Sequence, residues 1–173
     1  MSGPSVARGY WGDGELSEEV FSGRLAGEAD RTYLRTGDLG FLHDGELFVC
    51  GRLKDLIIKA GVNHFAEDIE HTVGQSHPAL RPNACAVFGI EAAGMERLVV
   101  VQEIQPGTRS QAQSIIGSIQ AAVAREHAVL ADAISILRPG GLEKTGSGKI
   151  RRHRARALFL AGELPLVTDW RCW

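Results

Sequence analysis

The sequence has no cysteine pair spaced CxxC: Cys50, Cys85 and Cys172 lie far apart and are odd in number. That spacing excludes a disulfide framework and a cysteine zinc site, and it predicts reduced thiols in a cytoplasmic protein. None of the six histidines falls in an HExxH pattern, so no metal site is expected. No apolar run approaches the roughly 18 to 20 residues that span a bilayer, so no membrane span is expected. Met1-Ser2-Gly3-Pro4 has neither the basic flank nor the apolar core of a secretion signal. A strong charge of one sign is also missing: the net charge is −2, which gives no electrostatic case for nucleic acid or an anionic membrane. The one basic run, Lys149-Ile150-Arg151-Arg152-His153-Arg154, has no interleaved aromatic for base stacking, so no nucleic-acid partner is expected. Internal repeats and low-complexity tracts are absent.

What is present suits a packed domain. Hydrophobic residues make up 44% of 173, enough for one domain or for a small domain carrying a piece of another. A short helix is predicted over 17–21, with Ser17 and Glu18 at its start. Asp44-Gly45 between apolar runs predicts a hairpin, because glycine accepts the positive φ of a tight primed turn. Leu56-Ile57-Ile58-Lys59 reads as a short buried strand, and 67–74 as a helix with Ile69 and Val73 on one face. Strands are predicted over 85–90, 97–104 and 133–137, a helix over 110–129 and another over 154–160 ending at Gly162. No nucleotide fingerprint follows any strand, so an α+β domain is favoured over a doubly wound sheet. The composition changes near 52–55, which places a domain boundary there.

Three segments carry groups suited to chemistry. In Tyr33-Leu34-Arg35-Thr36-Gly37-Asp38, a carboxylate after glycine could accept bonds from two vicinal hydroxyls, although a turn is the plainer reading of that spacing. In Gly51-Arg52-Leu53-Lys54-Asp55, the arginine offers a fork of donors to phosphate or ribose oxygens, and a solvated linker is the alternative. In Lys144-Thr145-Gly146-Ser147-Gly148-Lys149-Ile150, glycines permit close approach and Lys149 could set a compact charge on a phosphate or carboxylate. That segment is not a Walker A loop, since Glu143 replaces the first glycine and Ile150 the Ser or Thr after the lysine. Standing alone it would be a basic surface loop.

In this order and spacing the segments resemble the late motifs of the adenylate-forming (ANL) superfamily. Gly3-Pro4-Ser5-Val6-Ala7-Arg8-Gly9-Tyr10-Trp11 is similar to the stretch before that family's Tyr-x-x-Thr-Gly-Asp element, 33–38 to the element itself, 51–55 to its hinge, and 142–150 to its Pro-Lys-Thr-x-Ser-Gly-Lys loop. Leu39-Gly40-Phe41-Leu42-His43-Asp44-Gly45, Asn63-His64-Phe65 and Ser76-His77-Pro78 resemble fatty acyl-AMP ligases in particular.

The resemblance implies a C-terminal part of such an enzyme. Residues 1–52 would be the trailing β-subdomain of the large N-terminal domain. Residues 53–173 would form a C-terminal lid with a short, mostly antiparallel sheet flanked by helices. It implies that Asp38 binds the ribose hydroxyls of ATP and of the acyl-adenylate, that Arg52 supports the nucleotide, that Lys54 is the hinge and that Lys149 is the catalytic lysine. The intact enzyme would use ATP and Mg2+ to activate a fatty acid, then pass the acyl group to an acyl carrier protein in lipid or polyketide biosynthesis. This chain alone is expected to bind neither cofactor tightly and to be inactive. The alternatives are the lid of an acyl-CoA synthetase and a non-catalytic module that docks a carrier protein. Glu143 stands where the family loop usually has proline, which is expected to loosen the approach to Lys149, while Gly146 replaces a common serine and Ala66 a common proline.

Overall fold

The computed structural model describes residues 1–28, 31–92 and 94–173. The chain divides into two compact units, Met1–Lys54 and Asp55–Trp173.

The described residues of the first unit form the helix α1 (Gly14–Phe21) and the hairpin β1 (Asp38–His43) with β2 (Glu46–Arg52). The helix begins earlier than its sequence predicts. Asp13 is the N-cap, its carboxylate accepting the Leu16 N–H at 3.0 Å. Ser17 lies a turn inside, where its hydroxyl donates back to the Asp13 carbonyl and accepts the Tyr10 N–H at 2.8 Å. The hairpin turn is the predicted one: Asp44 and Gly45 both take left-handed backbone, at φ 50° and 81°. A bulge between Leu39 and Gly40 brings the Phe48 carbonyl oxygen within 2.5 Å of where a Cβ on Gly40 would sit. Only glycine fits there.

Among its described residues this unit has no hydrophobic core. The described residues that are buried and hydrophobic all lie at Ile57 or beyond, whereas Phe41, Leu42, Leu47, Phe48 and Val49 of the hairpin are exposed. Phe41 and Phe48 stack on each other at 5.2 Å, but a lone two-stranded hairpin has too little apolar contact to be stable by itself.

The second unit carries the core. A small hairpin, β3 (Leu56–Lys59) with β4 (Val62–Phe65), leads into α2 (Ala66–Gln75). A four-stranded sheet follows in the order β5 (Leu80–Ala92), β6 (Met95–Ile104), β7 (Ala133–Leu137), β8 (Leu166–Arg171). Its neighbours pair antiparallel except β6 and β7, which run parallel because α3 (Ala112–His127) carries the chain between them. Strand alternation sorts the sheet into two faces. Val87, Val100, Ile134 and Ile136 join Ile69 and Val73 of α2 and Ile115, Ile119 and Val123 of α3. Ala86, Phe88, Val99, Val101 and Leu137 join Ala155 and Phe159 of α4 (Arg152–Ala161). The result is an α+β unit with a mostly antiparallel sheet between helices, as expected.

Strands β4 and β8 are not legible in the sequence. β4 is mostly polar or exposed, and β8 interleaves Thr168, Asp169 and Arg171 with the core-facing Val167 and Trp170. β5 is longer than predicted because its pairing continues past an irregularity between Leu80 and Cys85, where Pro82 lacks a donor and Asn83 takes φ 51°. Gly162 ends α4 in the left-handed region, its N–H returning to the Phe159 carbonyl at 3.1 Å. No helix among the described residues is long and apolar enough to cross a membrane.

Candidate active site

The four residues singled out in the sequence fall in three places. Asp38 and Arg52 are brought together. They are register partners at the open end of the β1–β2 hairpin, and the Arg52 Nε lies 3.4 Å from the Asp38 Oδ1. The approach to Asp38 is set by Gly37 at φ 74°, whose carbonyl accepts the Leu53 N–H at 2.8 Å, and by the Thr36 hydroxyl, which accepts the Asp38 N–H at 3.1 Å. Both side chains remain open to solvent, 35% for Asp38 and 55% for Arg52, so the pair presents a carboxylate and a guanidinium side by side at the surface. An exposed pair of this kind adds little to stability.

Lys54 lies in a single 3-10 turn, Leu53–Asp55, and the division between the two units falls immediately after it.

Lys149 belongs to the second unit. Its loop is a small hairpin rather than an irregular glycine-rich segment. Lys144 and Ile150 form an antiparallel bridge, Thr145 N–H donates to the Lys149 carbonyl at 2.8 Å, and Gly148 N–H donates to the Thr145 carbonyl at 2.9 Å. The Thr145 hydroxyl accepts the Lys149 N–H at 3.1 Å, and Gly148 takes the positive φ of 83° that closes the turn. Glu143 does not leave the approach loose. Its carbonyl accepts the Arg151 N–H and its carboxylate meets the Arg154 Nε, both at 2.9 Å. The backbone of Lys149 is thus held while its side chain is exposed, with no ion-pair partner among the described residues.

Two anchors, one buried and one largely shielded, hold the base of this hairpin, and sequence reasoning identified neither. On the entry side stands Glu103 of β6, with no exposed surface. It accepts the Gly140 and Leu142 N–H groups at 3.0 and 2.8 Å and the Arg81 Nη1 at 2.7 Å. On the exit side stands Arg152. Its Nε and Nη2 donate to the two oxygens of Glu70 at 2.8 and 3.0 Å, and its Nη1 donates to Asp55 at 2.5 Å. Burial alone would lower the pKa of Arg152, but the Glu70 carboxylate, with Asp55 and Glu67, holds it above its ordinary value. In the sequence Arg152 is one member of a basic run, and its partners lie 82 and 97 residues away, beyond the reach of spacing rules.

A third ionic cluster fixes the other end of the sheet. Asp132 accepts from Lys59, from Arg97 at 3.2 Å and from the Leu98 N–H at 2.7 Å. Burial pushes its carboxyl up, and these donors together bring it below the ordinary carboxylate value. Among the described residues no three His, Cys, Asp or Glu side chains gather in a way that could hold a metal ion.

The family described as Disco-interacting protein 2-like, AMP domain, matches residues 54–169. Among curated proteins, the medium-chain-fatty-acid–[acyl-carrier-protein] ligase JamA of Moorena producens (strain JHB) is 44% identical over 163 residues, 93% of this chain and 28% of JamA. The putative fatty-acid–CoA ligase fadD25 of Mycobacterium tuberculosis (strain CDC 1551 / Oshkosh) is 35% identical over 173 residues, 94% of this chain and 29% of fadD25. Among solved structures, a fatty acyl-adenylate ligase from studies of the E. coli and L. pneumophila enzymes is 32% identical, with a TM-score of 0.74 over 93% of this chain and 27% of that one. The chain therefore spans less than a third of the length of these relatives.

Proposed function

The chain belongs to the AMP-domain family of the adenylate-forming superfamily, near the fatty acyl-AMP ligases, and from that premise we propose that it is the C-terminal part of a ligase that activates a fatty acid with ATP. The observation that carries this reading is Lys149, an exposed ammonium with no ion partner among the described residues, on a hairpin anchored at both sides of its base.

In such a reaction the fatty carboxylate oxygen attacks the α-phosphorus of ATP. One P–O bond forms, the bond to the β-phosphate oxygen breaks, and pyrophosphate leaves with the displaced electron pair. Two anions must approach, and negative charge builds on the phosphoryl oxygens in transit. Lys149, touching both groups, offsets the repulsion and orients the attack. Asp38 accepts from the ribose hydroxyls and Arg52 supports the same nucleotide. Lys54 is the hinge about which the second unit turns relative to the first, and we read the first unit as the end of a larger domain that supplies the apolar contacts the β1–β2 hairpin lacks. The described residues do not by themselves fit a magnesium ion: no three His, Cys, Asp or Glu side chains gather, and the shielded carboxylates Asp55, Glu70, Glu103 and Asp132 are each committed to arginine, lysine or backbone donors. No step above runs through the metal.

The acceptor we propose is an acyl carrier protein, on the likeness to a fatty-acid–[acyl-carrier-protein] ligase. The likeness to a putative fatty-acid–CoA ligase favours a second reading, with CoA as acceptor. Product analysis separates them: the ligase containing this chain, given fatty acid, ATP, carrier protein and CoA together, yields acyl-carrier protein on the first reading and acyl-CoA on the second. We place the reaction in the cytoplasm, where three unpaired cysteines are at home.

A further inference from the structure

Arg152 joins three segments that the sequence keeps far apart. It opens α4, three positions after Lys149. Glu70 of α2, which grips it by both oxygens, is itself fixed, because its Oε1 also accepts the Val87 N–H of β5 at 3.0 Å. The Arg152 and Glu70 side chains are only 16% and 19% exposed, so this forked pair is well shielded from water. With the Nε–Nη2 edge of a planar guanidinium held in this way, the direction of the remaining Nη1 donor is fixed. That donor holds Asp55, the first residue of the second unit and the immediate neighbour of Lys54. On the other side of Arg152, the Arg151 N–H closes the neck of the Lys149 hairpin onto Glu143.

We propose that Asp55 and Arg152 are positioning residues for adenylation, tying the hinge segment to the neck of the Lys149 hairpin so that the torsions at Lys54 set the pose of the lysine. The inference rests on the roles given above to Lys54 and Lys149. Asp55 and Arg152 are bonded to each other, and Arg152 to Glu70, so they would act through Lys54 and Lys149. Asp55 is the informative position, since removing its charge leaves Arg152 neutralised by Glu70 and the core untouched.

Amide hydrogen exchange on this chain tests the tie without any chemistry. In Asp55→Asn, the hydrogen-bonded amides of Thr145, Gly148, Lys149 and Arg151 should exchange about tenfold faster, the loss expected for one charge-assisted bond, while those of β5 and β6 stay unchanged. Asp55→Glu should restore protection, and Arg152→Lys, which keeps the charge but loses the fork, should behave as Asp55→Asn. In the ligase, Asp55→Asn should lower kcat for ATP–pyrophosphate exchange with KM for ATP unchanged. Unaltered hairpin exchange in both Asp55→Asn and Arg152→Lys would overturn the proposal, as would a raised KM with kcat intact. A ligase with no ATP–pyrophosphate exchange at all would count against the functional reading instead, and hydrogen exchange would still decide whether the tie exists.

Discussion

Asp38 and Arg52 face each other as register partners across the mouth of the β1–β2 hairpin, carboxylate and guanidinium 3.4 Å apart and both reachable from solvent. If the carboxylate serves the ribose, its loss should weaken nucleotide binding far more than folding. Asp38→Ala should raise KM for ATP by about ten- to a hundredfold, the range for a hydrogen bond to a charged group. The melting temperature of the ligase should barely move, because an exposed pair contributes little. Steady-state kinetics over an ATP titration, alongside a thermal melt, would check both halves.

The second unit should stand or fall with its sheet–helix core. Ile119 has no exposed surface and packs with Ile69, Val73 and Ile134. Truncating it to alanine should cost about 2 to 5 kcal/mol, from lost transfer energy and the cavity left behind. Urea unfolding of this chain should show a lower midpoint with an unchanged slope.

Acid should unfold the second unit partly through Asp132. Its folded pKa lies below the ordinary 3.8, so its contribution is present above that value and lost as pH falls through the folded value. His64 adds an earlier window. Burial, with His127 and Lys59 nearby, lowers its pKa from 6.5, so protonation in the unfolded chain draws stability away as pH falls below that value. Asp132→Asn should therefore start less stable at neutral pH but lose less between roughly pH 5 and 3 than the unsubstituted chain. Stability measured at a series of pH values gives the two slopes.

The cysteines should differ in reactivity. Cys85 is buried, and burial, aided by Glu70, pushes its thiol well above the ordinary 9.0, while Cys172 is exposed. A thiol reagent at pH 8 should label Cys172 promptly and reach Cys85 only when the chain unfolds. Mass spectrometry of the labelled peptides would report the order.

The sequence was informative wherever the signal was local. Asp44-Gly45 named its own turn, the apolar stripe from Ile115 to Val123 named α3, and Gly162 named the end of α4. It was silent where structure depends on distant partners. β8 has no apolar run because it is an edge strand pairing only with β7. Arg152 looked like one more solvated base among Arg151, His153 and Arg154, and only the fold turns it toward Glu70 and Asp55. Glu103 gave no sign of burial, since a lone carboxylate in a strand of valines is legible only once Arg81 and the 140–142 backbone are seen to surround it. Glu143, expected to loosen the loop, instead bridges it, because a proline there would only stiffen one side of a neck that the Arg151 N–H already closes.

In the proposed reaction the Lys149 ammonium stabilises the transition state of acyl-adenylate formation. The most direct measurement is fatty-acid-dependent ATP–pyrophosphate exchange by the ligase carrying Lys149→Ala, with the melting temperature recorded alongside. An intact fold is expected, with a rate lower by about a hundred- to a thousandfold, the loss typical of one preorganised electrostatic donor. Exchange at the unsubstituted rate would contradict it.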